Sequence, residues 1–187
     1  MSDIVSLELL FDDATEARIR GEWATLQALG VSSMGAHTSN SNRPHLSLLV
    51  RSSLSHSSSS EAEPSLLDLD AVRDAAGRLP MPLTLGGPQL FRHGDRTVLA
   101  RSVVPSVSLL EFHTELHRLA GSEEVAVDLP HTTPGSWTPH VTLARRLKLA
   151  DLERAIAALD VEPLHALATE LRLWDARTAT VERLRQG

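Results

Sequence analysis

Apolar positions change their spacing in a regular order along this chain. Residues 4–11 (IVSLELLF) form a run that reads as a strand. A helix then starts at Asp13, with Ile19, Trp23, Leu26 and Leu29 on one stripe, Glu16 placed for a capping box and Gly30 as its stop. A polar, Ser/Asn-rich loop leads to Pro44 and a second strand, HLSLLVR at 45–51. Residues 52–64 (SSLSHSSSSEAEP) are of low complexity and read as a mobile loop. A helix follows with Leu69, Val72, Ala76 and Leu79 on one face, and then a strand over 82–91 broken or bulged at Gly86-Gly87.

From about residue 96 the same order returns. A strand over 96–104 precedes a helix carrying Leu109, Phe112, Leu116 and Leu119, which Gly121 closes. A polar loop leads to Pro139 and the strand HVTLAR at 140–145. Another helix carries Leu149, Leu152, Ile156 and Leu159, and strands are expected over 167–174 and about 178–184. Trp23 and Leu116 are 93 positions apart, Gly30 and Gly121 91, and His45 and His140 95. The spacing therefore predicts a duplicated β-α-β-α-β chain, with lobe-like repeats at about 1–92 and 93–187 within a single domain.

The repeat carries a string of chemistry at the same place in each half: Pro-His-x-(Ser/Thr)-Leu. On a strand, residues i and i+2 share a face, so His45 stands beside Ser47 and His140 beside Thr142. Leu46, Leu48, Val141 and Leu143 would face the core. A pseudo-two-fold axis between the halves would bring both pairs to one cleft. Histidine titrates near neutral pH and can give or take a proton, while the hydroxyls can hold non-bridging phosphate oxygens. Two histidines with hydroxyl neighbours lack the carboxylate or third imidazole that zinc and iron sites use, so neither a metal nor another cofactor is expected.

PHLSLLV and PHVTLAR resemble the paired signatures of the two-histidine (2H) phosphoesterase superfamily, in particular its bacterial 2′-5′ RNA ligase, or RNA 2′,3′-cyclic phosphodiesterase, branch. The resemblance spans the first strand to about residue 175. It implies a bilobal α+β fold, with two antiparallel sheets lining a central cleft and helices outside. It further implies an enzyme that opens 2′,3′-cyclic phosphates at an RNA end or on a nucleotide. By position, His45 would protonate the departing ribose oxygen and His140 would activate water. Ser47 and Thr142 would bind the phosphate, and Arg145 matches an arginine that follows the second motif in many bacterial members. Simple alternation would turn Arg145 away from the histidines, so this carry-over requires the strand to end there.

Composition narrows the partners. There is no cysteine for a disulfide or a thiolate site, and the net charge of −6 argues against a broad, sequence-blind nucleic-acid footprint. A small phosphorylated ligand or the end of an RNA is compatible, and the acidic balance favours the smaller. Among the 18 basic residues only Lys148 is lysine. Aromatics make up 3% of the chain, leaving Trp137 and Phe11 as candidates for stacking on a base. No run approaches a membrane span and the amino terminus does not read as a signal peptide, so a cytoplasmic monomer is the expectation.

His113 and His117 sit i, i+4 on a helix without the metalloprotease pattern and read as surface residues. His37, His56, His93, His131 and His165 show no partner pattern. Arg43, Arg51, Arg92 and Arg101 could line the cleft but read mostly as solvated or paired. The competing functions are a 2′-5′ ligase or hydrolase using the same residues, and a catalytically weak RNA- or nucleotide-binding protein.

Overall fold

The structure, a computed structural model, describes residues 4–53, 68–120, 126–160 and 162–186. The first half runs β1 (Ile4–Phe11), α1 (Asp13–Ala28), β2 (His45–Ser53), α2 (Leu69–Ala75) and β3 (Met81–His93). The second runs β4 (Arg96–Val103), α3 (Val107–Leu119), β5 (Ala126–Asp128), β6 (His140–Lys148), α4 (Leu152–Ala157), β7 (Leu164–Asp175) and β8 (Thr180–Gln186). The helices form where the apolar stripe recurs at helical spacing. Ile19, Trp23 and Leu26 of α1 and Leu109, Phe112 and Leu116 of α3 are all buried in the one core.

Every strand pairing is antiparallel, and the sheet order is β1-β2-β6-β4-β3-β7-β8, with β5 on β2 and a further pairing of β1 with β7. The two sheets expected from sequence are thus joined edge to edge. Exchanging β1 with β4, β2 with β6 and β3 with β7 returns the same set of pairings. The third strand of each half crosses to pair with the first strand of the other, β3 with β4 and β7 with β1. Strands β5 and β8 are additions outside this symmetric ring.

The duplication reaches to single residues. In β2, Glu8 faces Ser47 but Leu7 faces Leu49, so Leu48 is an extra residue. In β6, Ala100 faces Thr142 but Leu99 faces Ala144, so Leu143 is extra. Each bulge lies one residue after the motif hydroxyl. A bulge re-aims the side chains that follow it.

Most elements lie within a few residues of their expected bounds, with three differences. The cap of α1 is Asp12, whose side chain accepts from the Thr15 amide, rather than a box built on Glu16; Glu16 instead takes Arg20 and Arg43. The short strand β5 was not expected. Of the loop expected over 52–64, Ser52 and Ser53 still belong to β2, and 54–64 lie outside the described residues, as does Gly121. Among the described residues no helix is long and apolar enough to cross a membrane.

Candidate active site

His45 and His140 are the first residues of β2 and β6, and these strands meet at a single bridge, Leu46 with Val141. In an antiparallel pair that bridge sets His45 beside Thr142 and Ser47 beside His140, on the face opposite the buried Leu46 and Val141. The four groups expected to converge are therefore brought together. His45 Nδ1 donates to the Arg43 carbonyl at 2.7 Å, and His140 Nδ1 donates to the Thr138 carbonyl at 2.8 Å. A carbonyl only accepts, so Nδ1 carries the proton in both rings and Nε2 is left for chemistry. The same i−2 carbonyl holds each ring, a second residue-level mark of the repeat.

The surroundings of the two rings differ. On the His45 side the cleft strand β1 supplies Glu8, whose Oε1 lies 3.7 Å from His45 Nε2. Glu8 is buried and also holds Arg172, with Arg172 Nε donating to its Oε2 at 2.8 Å, and accepts from Ser6 Oγ at 2.8 Å. Burial works against its charge, but His45, Arg172 and Ser6 outweigh that and hold its carboxyl below the ordinary 4.5. On the His140 side the equivalent position is Ala100. There burial above all, with the charges of His45, His131 and Arg145, pulls His140 below its ordinary 6.5 against the opposing bond to Thr138.

The extra residue in β6 resolves the orientation of Arg145. With Leu143 accommodated in the bulge, Ala144 takes the core side and Arg145 returns to the face of His140 and Thr142. Its guanidinium acts on His140, and its backbone carbonyl accepts from Ser32 Oγ. The strand does not end at Arg145, as the carry-over required, but shifts register and runs on to Lys148, a change that residue spacing alone does not reveal. Among the described residues, no three or more His, Asp or Glu side chains converge in a way that could hold a metal ion.

The sequence profile described as "2′-5′ RNA ligase superfamily" matches residues 13–180. The chain belongs to this superfamily. No curated protein matches it. Among solved structures, this superfamily member is similar to TT0787 of Thermus thermophilus, with a TM-score of 0.55 at 19% identity over 98% of this chain and 96% of that one. It is also similar to Escherichia coli LigT in its apo form, TM-score 0.52 at 16% identity over 100% and 95%. Kluyveromyces marxianus Usb1 with uridine monophosphate gives TM-score 0.50 at 16% identity over 98% of each chain. At these identities the likeness is one of fold, and it extends along the whole chain.

Within this superfamily fold, the aromatic expectations need correction. Phe11 is 1% exposed and packs in the core, so its ring has no face for a base. Trp137 is stacked on His113, ring centroids 3.9 Å apart and planes within 4°, and its indole donates to the Ser47 carbonyl at 3.2 Å. It anchors the first motif. His113 is likewise no surface residue: it is buried, and its Nε2 donates to the Thr132 carbonyl at 2.9 Å. His117 donates to the carbonyl of the bulged Leu48 at 3.2 Å. Arg43 and Arg101 are paired as expected: Arg43 with Glu16 and Glu170, Arg101 buried on Glu22. Sequence reasoning missed Glu8, His131 and Phe91; the Phe91 ring centroid lies 4.6 Å from that of His140. Only Glu8 gave a signal, as a carboxylate inside a mostly apolar strand.

Proposed function

We propose that this protein is a metal-independent phosphodiesterase that opens 2′,3′-cyclic phosphates at RNA ends or on nucleotides by acid–base catalysis between His45 and His140. The observation that carries the reading is the pair of imidazoles at one strand junction. Both are fixed through Nδ1, both present Nε2, and each stands next to a hydroxyl. In-line displacement needs a base behind the attacking oxygen and an acid before the leaving one. Water attacks phosphorus, His140 Nε2 takes the water proton, the bond from phosphorus to one ribose oxygen breaks, and His45 Nε2 gives that oxygen a proton. Ser47, Thr142 and Arg145 hold the non-bridging oxygens, whose charge shifts during the reaction.

The unequal surroundings support this direction. Glu8 places a carboxylate 3.7 Å from His45 Nε2, whereas the residue facing Thr142 is Ala100. Burial favours neutral His140, as a base must be. Usb1 of Kluyveromyces marxianus holds uridine monophosphate, a nucleotide of the size of the expected product.

The test is incubation with 2′,3′-cyclic nucleotides, and with a short RNA ending in a cyclic phosphate, in the presence of EDTA. Wild type opens the ring, and His45→Ala and His140→Ala each lose about 10²-fold or more. A wild type inert on every cyclic phosphate would remove the proposal, and an activity abolished by the chelator would remove its metal independence.

A further inference from the structure

One buried charge beside the cleft takes no part in the proton transfers. Glu8 is 4% exposed, and its Oε1, which accepts from Ser6 Oγ, lies 3.7 Å from His45 Nε2. Its Oε2 is turned to Arg172, and its partners keep the carboxyl ionised despite burial. The other charges nearby are paired among themselves, Arg43 with Glu16 and Glu170, and Glu170 with Arg183.

The strand register shows that the sheet does not require this network. Glu8 faces Arg172 across β1 and β7, with Ser6 two positions before it. Ala100 faces Gln89 across β4 and β3, with Val98 two positions before it. The exchange of halves that maps His45 onto His140 thus maps Ser6, Glu8 and Arg172 onto Val98, Ala100 and Gln89. The same pairing is built once around an ion pair and once without any charge. A buried ion pair stabilises a fold no better than well-packed neutral groups do. The charge at position 8 therefore calls for a role at the site.

That role follows from the charge of the ligand. A phosphodiester carries one negative charge, whereas a monoester gains a second above about pH 6. The phosphoester reading puts a phosphate oxygen within hydrogen-bond reach of His45 Nε2, so this oxygen and Glu8 Oε1 stand at most about 6.5 Å apart. Burial of the carboxylate leaves little water to screen the two. We infer that Glu8 selects the ligand by charge: it admits a singly charged phosphodiester and disfavours a doubly charged phosphomonoester, so that the product of ring opening is driven from the site. This rests on the phosphoester reading for the position of the phosphate, and it adds the means by which the site tells substrate from product.

Binding tests the inference without turnover. Thymidine 3′-monophosphate and thymidine 3′-(methyl phosphate) differ by one charge and, lacking a 2′-hydroxyl, cannot cyclise. Both are titrated calorimetrically at pH 5 and pH 8 into wild type, Glu8→Gln and Glu8→Asp. At pH 8 wild type binds the methyl ester about tenfold more tightly than the monoester, and at pH 5, where both carry one charge, the preference closes. Glu8→Gln keeps the shape, removes the charge and loses the preference; Glu8→Asp keeps it. A merely structural carboxylate would move both affinities together and leave their ratio alone. Should the glutamine variant not fold, as its thermal midpoint will show, the wild-type comparison still decides, because a site lined by cations alone favours the dianion. Equal or tighter binding of the monoester to wild type at pH 8, or a preference that survives Glu8→Gln, overturns the inference. A protein that shows this selection yet opens no cyclic phosphate keeps the role of Glu8 and loses the esterase reading; one that turns over cyclic phosphates and binds both esters alike does the reverse.

Discussion

Two histidines of like local geometry stand in different surroundings. His45 and His140 share a strand position, a hydroxyl at i+2 and an Nδ1 bond to the i−2 carbonyl. The motif strings in the sequence were enough to pair them. What they could not show is that position 8 is glutamate where its counterpart, position 100, is alanine, because that correspondence appears only in the strand register. The consequence is measurable. Burial lowers His140 from its ordinary 6.5, so the folded protein keeps this ring neutral at pH values where an exposed imidazole is already charged. If His140 is the base, the acid limb of the kcat/KM profile falls below pH 6.5. The same group makes stability decline as pH drops through 6.5 towards the folded value, since the unfolded chain binds the proton first. An acid limb at or above 6.5 would contradict the assignment of His140 as base.

At the scale of elements, the site depends on the paired β-bulges. A bulge removes backbone groups from the ladder, and these need other partners. The two halves answer in a crossed manner. Trp23 on α1 of the first half donates its indole proton to the Thr142 carbonyl at 3.1 Å, and Trp137 of the second half donates to Ser47 at 3.2 Å. His117 adds a bond to Leu48. Replacing either indole by phenyl keeps the apolar bulk and leaves one carbonyl short of a donor, a loss of roughly 1–3 kcal/mol. Trp23→Phe and Trp137→Phe should therefore each lower the denaturation midpoint and the rate together, because the carbonyl belongs to the residue whose hydroxyl lines the cleft. A variant with a lowered midpoint and an unchanged rate would show that the bulge holds its shape without the indole.

The elements themselves were legible because apolar spacing tracks burial directly. Strand β1 and the stripes of α1 and α3 follow from residue types alone. Bulges, crossed tryptophan bonds and the buried His113–Trp137 stack were not legible, since each joins residues far apart in the chain. Helix spacing alone marks His113 and His117 as surface groups, because it does not include Thr132 and Trp137, which cover His113, or strand β2, which takes His117. Phe11 is buried because both faces of β1 are covered, from Val5 to Phe11, which residue types alone do not reveal.

For the whole molecule, the duplication explains why one chain can make a site at its centre. Strands β3 and β7 each cross to the other half, so neither half closes its sheet alone, and the two motif strands are forced together at Leu46 and Val141. The buried Arg101–Glu22 pair ties α1 of the first half to β4 of the second. The superfamily profile over residues 13–180 and the likeness to TT0787 and LigT agree with this architecture. The symmetry was foreseeable from the 95-residue offset between the histidines, and so were Arg145 and the last strand; its breaking by Glu8 and by the added strand β5 was not.

If His45 acts as acid and His140 as base, as proposed, the demands of the leaving group separate the two. A 2′-O-methyl nucleoside 3′-(4-nitrophenyl phosphate) releases 4-nitrophenoxide, which needs no proton, whereas a departing ribose oxygen needs one. Rates with this ester and with the corresponding 2′,3′-cyclic nucleotide are compared for wild type, His45→Ala and His140→Ala. On this assignment the activated ester restores most of the activity lost in His45→Ala and little of that lost in His140→Ala. Equal losses of both variants on both substrates, or rescue of His140→Ala alone, would contradict it.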